Sequence, residues 1–131
     1  MSETNTPTIY QEIGGEAEVR RLVDAFYDHM DSTPELSELR AMHPETLDGS
    51  RNKLFAFLSG WFGGPNLFVE RYGQPFMRRR HSPFAIGSHE RDQWLQCMAW
   101  AMEHVGLSPE LQLKLGASFF HLADFMRNKE G

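Results

Sequence analysis

His81 stands inside the stretch Gly73-Gln-Pro-Phe-Met-Arg-Arg-Arg-His-Ser-Pro-Phe84, whose residue types could bind a charged, metal-bearing group. Pro75 can open a short helix, where its missing N–H is no loss. Pro83 disfavours helix at Ser82 and so ends the segment just past the histidine. An imidazole is thereby held on a short helix between Met77 and Phe84, beside Arg78, Arg79 and Arg80. Neutral imidazole is a common ligand for iron, and arginine binds carboxylates well. Haem makes both demands of one pocket: an axial donor for its iron and cations for its two propionates. Taken alone, the same residues also describe a partly exposed histidine on a basic surface turn.

The elements that must position this histidine read as helices throughout. A polar tail over 1–8 precedes Tyr10-Gln-Glu-Ile-Gly14-Gly15, a helical turn stopped by glycines. Val19, Leu22, Val23, Phe26, Tyr27 and Met30 then recur at three- and four-residue steps on one helix face. Ser32-Thr33-Pro34 breaks this helix and starts a short one, which ends before Pro44. Asp48 is the expected N-cap of a helix to about Phe62, with Leu54, Phe57, Leu58 and Trp61 as its apolar stripe. Ser88 caps the next, which carries Trp94, Leu95, Met98, Met102 and Val105 on one side. Ser108-Pro109 begins the last, along which Leu111, Leu115, Phe119, Leu122, Phe125 and Met126 line up. No two-residue alternation is sustained anywhere, so the fold class is all-α. The stretch from Gly63 to Gly87 reads as long and poorly helical, a loop wrapped around something bulky and apolar.

Composition bounds the partners. The 131 residues suit one domain, placed at 9–128, and 40% hydrophobic with 12% aromatic content argues against disorder. A net charge of −5 lacks the basic surface of a nucleic-acid binder. The N-terminal sequence has no signal-peptide pattern, and no apolar run approaches membrane-spanning length, so a cytoplasmic protein is expected. The single cysteine, Cys97, excludes an intramolecular disulfide and reads as a small core residue. His29, His104 and His121 read as surface or boundary residues. His89-Glu90 alone does not make a zinc motif.

Several short pieces together resemble a known family: Gly14-Gly15, Phe26-Tyr27, Met42-His43-Pro44, Trp61-Phe-Gly-Gly-Pro65, Gly73-Gln-Pro75, Arg80-His81-Ser-Pro-Phe84 and Arg91-Asp-Gln-Trp94-Leu-Gln-Cys97. In this order and spacing, from Tyr10 to Met126, the sequence resembles the truncated, two-on-two haemoglobins, and among them group II. The resemblance implies a globin-like two-on-two sandwich and His81 as the proximal ligand to haem iron. Met77, Phe84 and Ile86 would wall the cofactor, and Met98 would join Trp94 among the residues touching it. Leu54 and Phe57 would form an apolar ceiling, with Lys53 and Arg80 the candidates for the propionates. No Cys-x-x-Cys-His is present, so haem b held non-covalently is implied.

Tyr27 lies on an apolar stripe, where a phenol needs a partner for its hydroxyl; it is either a core tyrosine bonded to a carbonyl or, as the family implies, a distal donor to bound gas. Trp94 can only donate from its indole, and the resemblance makes it a second distal donor as well as core. His43 could donate to the ligand or to Tyr27, or simply end a helix in solvent. Ser50 stands where the better-known haemoglobins carry a distal histidine; a small residue there opens a side route to the iron. The implied ligands are dioxygen, carbon monoxide and nitric oxide, bound by a monomer or weak homodimer with no nucleic acid or membrane partner. A redox enzyme for nitric oxide dioxygenation or peroxide turnover would use the same site with a separate reductase. Three polar donors favour slow release, which suits redox chemistry better than oxygen transport. A cofactor-free helical interaction domain is the remaining alternative, and it leaves Gly63–Gly87 without a purpose.

Overall fold

The computed structural model describes residues 6–130, so residues 1–5 of the polar tail lie outside the described residues. Helix α1 (Ile9–Ile13) is started by Thr8, whose hydroxyl accepts from the Gln11 N–H while the Gln11 side chain accepts from the Thr8 N–H. This reciprocal pair satisfies two donors that a helix start otherwise orphans. Gly14 (φ 120°) and Gly15 (φ 83°) turn the chain through a backbone region open to glycine, and α2 (Glu16–Ser32) follows at once. A 3-10 turn at Pro34–Leu36 leads into α3 (Ser37–Ala41), then come α4 (Asp48–Trp61), α5 (Leu67–Tyr72), α6 (Met77–His81), α7 (Ser88–His104) and α8 (Pro109–Phe125). No strand occurs among the described residues, and no helix there is long and apolar enough to cross a membrane.

Helix α2 is the hub. It packs against α4 on one side and α7 on the other, and α7 packs against α8, so two pairs of helices face each other. Phe26, Leu22, Met30, Leu58, Leu115 and Phe119 are fully buried where they meet, each burial contributing roughly 1.5–3 kcal/mol. The α2–α4 pair is fixed by charge as well: Arg51 donates to Asp24 at 3.0 Å and to Asp28 at 2.6 Å. The end of α4 is held by a close approach. Tyr10 N–H donates to the Phe62 carbonyl at 2.9 Å, and a Cβ on Gly64 would lie 2.5 Å from Tyr10 Cδ1.

One sequence expectation is refined and three are corrected. The irregular stretch from Gly63 to Gly87 is interrupted by α5 and α6, helices of 6 and 5 residues that are too short to show a period. Pro75 does not open α6; Phe76 takes a left-handed conformation (φ 41°) and the helix begins at Met77. Asp48 and Ser88 are first helical residues, not caps; at α7 it is Glu90 that accepts from the N–H of Gly87, at 2.8 Å. Finally, Trp61 and Phe125 lie at helical spacing with the core residues yet are 36% and 60% exposed.

Candidate cofactor and ligand site

Helix α6 is a single turn, and its last residue is His81. The ring is half-buried, and its Nδ1 lies 2.7 Å from the Met77 carbonyl. A carbonyl only accepts, so in the neutral ring that can bind a metal Nδ1 carries the proton and Nε2 offers the lone pair. A hydrogen bond of this kind fixes both tautomer and ring direction, as metal-ligating histidines require.

His43, just past α3, is held the same way, with Nδ1 2.9 Å from the Leu39 carbonyl. Burial lowers its affinity for protons; the Leu39 hydrogen bond opposes that, and Arg40 and then His81 add to the lowering. Its neutral Nε2 is therefore an acceptor. Of the two readings the sequence left open, a donor or a helix-end histidine, the Leu39 hydrogen bond disfavours the donor, because the neutral ring's one proton is already used. The ring stands edge-on to Tyr27, with centroids 5.8 Å apart.

Tyr27 projects from α2 and is 6% exposed. Burial, and secondarily the nearby Cys97, push its hydroxyl well above the ordinary phenol range, with Arg51 acting the other way. The hydroxyl thus stays protonated. Phe26 beside it packs on Trp94 of α7 at 5.3 Å, and Trp94 packs on Phe119 of α8 at 5.5 Å. Among the described residues neither the Tyr27 hydroxyl nor the Trp94 indole N–H has an acceptor. The sealed unpaired atoms there are Gln93 Oε1 and Arg127 Nε, so both donors still reach accessible space.

The two cations expected to meet carboxylates converge on one residue. Lys53 Nζ lies 5.8 Å from the Tyr72 ring centroid, and Arg80 donates to the Tyr72 carbonyl at 2.9 Å. Arg80 also donates to the Pro75 and Gln74 carbonyls, so most of its guanidinium secures the α5–α6 turn. Leu54 and Phe57 are half-buried on α4, with Phe57 edge-on to Phe68 at 6.2 Å, and Ser50 is half-buried one position before Arg51. Ile86 is buried under the C-terminal strap: its N–H donates to Asn128 Oδ1, and its carbonyl accepts from Asn128 N–H. Met77 is half-buried and Phe84 exposed. Met98, expected to touch the cofactor, is instead closed into the core at 1% exposed, so a bound group would meet its neighbours first.

Sequence reasoning missed the supports. Phe119 touches Trp94, Trp61 and Phe62 at once and so sets the indole's position; its place on the α8 stripe signalled burial but not that role. His29 and His104, read as ordinary, both stack on Trp100, at 4.0 and 4.6 Å, and the His29 contact ties α2 to α7. Nothing in their spacing pairs residues from separate helices. An open crevice of about 350 Å³ between α2 and α3 reaches His43, and a second of about 440 Å³ lies between Trp61 and α8.

These residues fit a haem: a histidine with its outer nitrogen free, apolar neighbours on α4, two cations at one edge, and two donors with nothing yet to donate to. Comparison with known proteins agrees. Residues 8–128 match the family model described as bacterial-like globin. Over 103 residues the chain is 41% identical to the group 2 truncated hemoglobin YjbI of Bacillus subtilis strain 168, covering 79% of this chain and 75% of that one. It superposes with a TM-score of 0.91, at 41% identity, on the group II 2-on-2 hemoglobin of the plant pathogen Agrobacterium tumefaciens, covering 99% of this chain and 100% of the other. With the truncated oxygen-avid haemoglobin from Bacillus subtilis the TM-score is 0.83 at 38% identity, covering 93% and 100%. The chain belongs to the bacterial-like globin family and shares the two-on-two fold of its group II truncated haemoglobins.

Proposed function

We propose that residues 9–128 form a domain that holds haem b non-covalently through His81 and binds dioxygen in reach of Tyr27 and Trp94. The observation that carries this reading is the asymmetry of the hydrogen bonding: His81 spends Nδ1 on Met77 and keeps Nε2, while Tyr27 and Trp94 keep their protons unshared. When bound, haem supplies an iron that takes up a diatomic ligand and can change oxidation state. Tyr27 and Trp94 stabilise negative charge that develops on such a ligand, from a setting where water is largely excluded. His43, edge-on to the Tyr27 ring with its own proton held by Leu39, leaves the Tyr27 hydroxyl to the ligand. Lys53, with what remains free of Arg80, neutralises the propionates. Ser50, being small, leaves room beside α4. Carbon monoxide and nitric oxide would enter the same space, and the oxygen-avid relative supports tight dioxygen binding.

A redox reading of the same site, nitric oxide dioxygenation or peroxide turnover with an external reductase, is favoured by the pair of unshared donors, which hold a ligand long enough to react. Dioxygen release tests both. Each donor is worth roughly 0.5–1.5 kcal/mol, so Tyr27→Phe and Trp94→Phe should each speed release by up to about tenfold. Release already fast in the parent, and unmoved by either change, would contradict the proposal.

A further inference from the structure

Arg78, Arg79 and Arg80 fan around the one-turn helix α6, and each guanidinium lies over a phenyl ring: Arg78 over Phe125 at 5.5 Å, Arg79 over Phe76 at 4.9 Å, Arg80 over Phe68 at 5.0 Å. Stacking of this kind holds a long, flexible cation in place. The sequence from Arg71 to Arg80 contains four arginines and no acid, in a chain whose net charge is −5. Among the described residues, Arg78 and Arg79 have no carboxylate partner; the ion pairs there involve Arg21, Arg40, Arg51, Arg91, Arg127, His89 and Lys114.

Phe76 gives this face its second feature. Its φ of 41° is positive, and the ring is 57% exposed beneath Arg79. A bulky side chain in the left-handed region is strained, and such strain concentrates at functional sites. Here the strained turn places an aromatic ring in solvent, where the core gains nothing from it.

We propose that the outer face of α6 docks a small acidic one-electron carrier protein, an inference that rests on the haem reading of the site. Arginine and exposed aromatic rings are the residue types that dominate protein–protein contacts. An acidic partner is steered toward Arg78 and Arg79, which have no carboxylate partner among the described residues, and repelled by the acidic remainder of the chain, which fixes its orientation. Only one helical turn separates Phe76 from His81, so a carrier docked here sits close to the site that needs electrons. The carrier is oxidised by one electron and the haem iron reduced from ferric to ferrous, with no bond made or broken.

The test titrates a purified acidic [2Fe–2S] ferredoxin onto the haem-loaded chain at low salt, with binding read by calorimetry and electron transfer by stopped-flow absorbance. Arg78→Glu/Arg79→Glu should weaken binding by about tenfold or more and slow reduction in step. Arg21→Glu/Lys114→Glu, with the same change in net charge, should leave both near the parent. Phe76→Gly, which relieves the backbone, should melt no lower than the parent yet bind several-fold more weakly. Equal losses in both double variants, no binding by the parent, or preferential binding to phosphatidylglycerol-containing vesicles would each overturn the docking face. Failure to take up haem at all would instead contradict the reading of the site.

Discussion

His43 and His81 spend the same nitrogen in the same way: each Nδ1 donates to the carbonyl four residues earlier, Leu39 at 2.9 Å and Met77 at 2.7 Å. Both rings therefore keep Nε2 as a lone pair. Their surroundings separate their roles. His81 closes a helix of 5 residues with three arginines before it, whereas His43 stands edge-on to a protonated Tyr27.

His43 as acceptor has an unusual consequence. With its Nδ1 proton held by the Leu39 carbonyl, His43 offers the ligand no donor, so His43→Phe should leave dioxygen release unchanged or slower. A donor role for His43 requires faster release instead. Release rates of the parent, His43→Phe and the double variant with Tyr27→Phe distinguish the two, since Tyr27→Phe should erase any effect of His43.

Phe119 joins stability to ligand control. It is fully buried and contacts Trp94, Trp61 and Phe62. Phe119→Ala should cost about 3–5 kcal/mol in denaturant unfolding. It should also quicken dioxygen release, because the indole loses its backing. Phe119→Leu should restore most of the stability.

Gly64 is required for space. An alanine Cβ would meet the Tyr10 ring at 2.5 Å, so Gly64→Ala should destabilise by about 1–3 kcal/mol. Tyr10→Ala in the same chain should remove that added penalty, which thermal melts of the four variants would show.

His89 gives a pH signature. Its Nε2 lies 2.9 Å from Glu38, and that contact raises its proton affinity above the ordinary 6.5. A base raised on folding stabilises the fold fully below the unfolded value and loses that contribution as pH rises through the folded value. The parent should therefore lose stability relative to His89→Gln as pH climbs above 6.5. A proton NMR titration should place His89 above that value, and Glu38→Gln should return it.

How legible this was from sequence differs by element. The α2 and α8 faces were readable because Val19 to Met30 and Leu111 to Phe119 repeat over several turns, where a helical period is unambiguous. His81 was readable because two prolines bracket it and three arginines precede it. Helix α5 was not, since six residues give no period, and its reason to exist is tertiary: Phe68 fills the space between Phe57, Tyr72 and Arg80. The exposure of Phe125 was likewise hidden, because helical spacing marks a face without saying where the neighbouring helix ends. The acceptor state of His43 depends on one carbonyl's position, which residue types do not encode.

The central claim is that His81 holds a haem iron, and an absorption spectrum tests it most directly. Haem is supplied to the parent and to His81→Ala, and each is recorded oxidised, reduced, and reduced under carbon monoxide. The account predicts a stoichiometric Soret band in the parent that shifts with carbon monoxide, and its loss or a changed ligation in His81→Ala. Identical spectra from both proteins, or no bound haem in the parent, would contradict it.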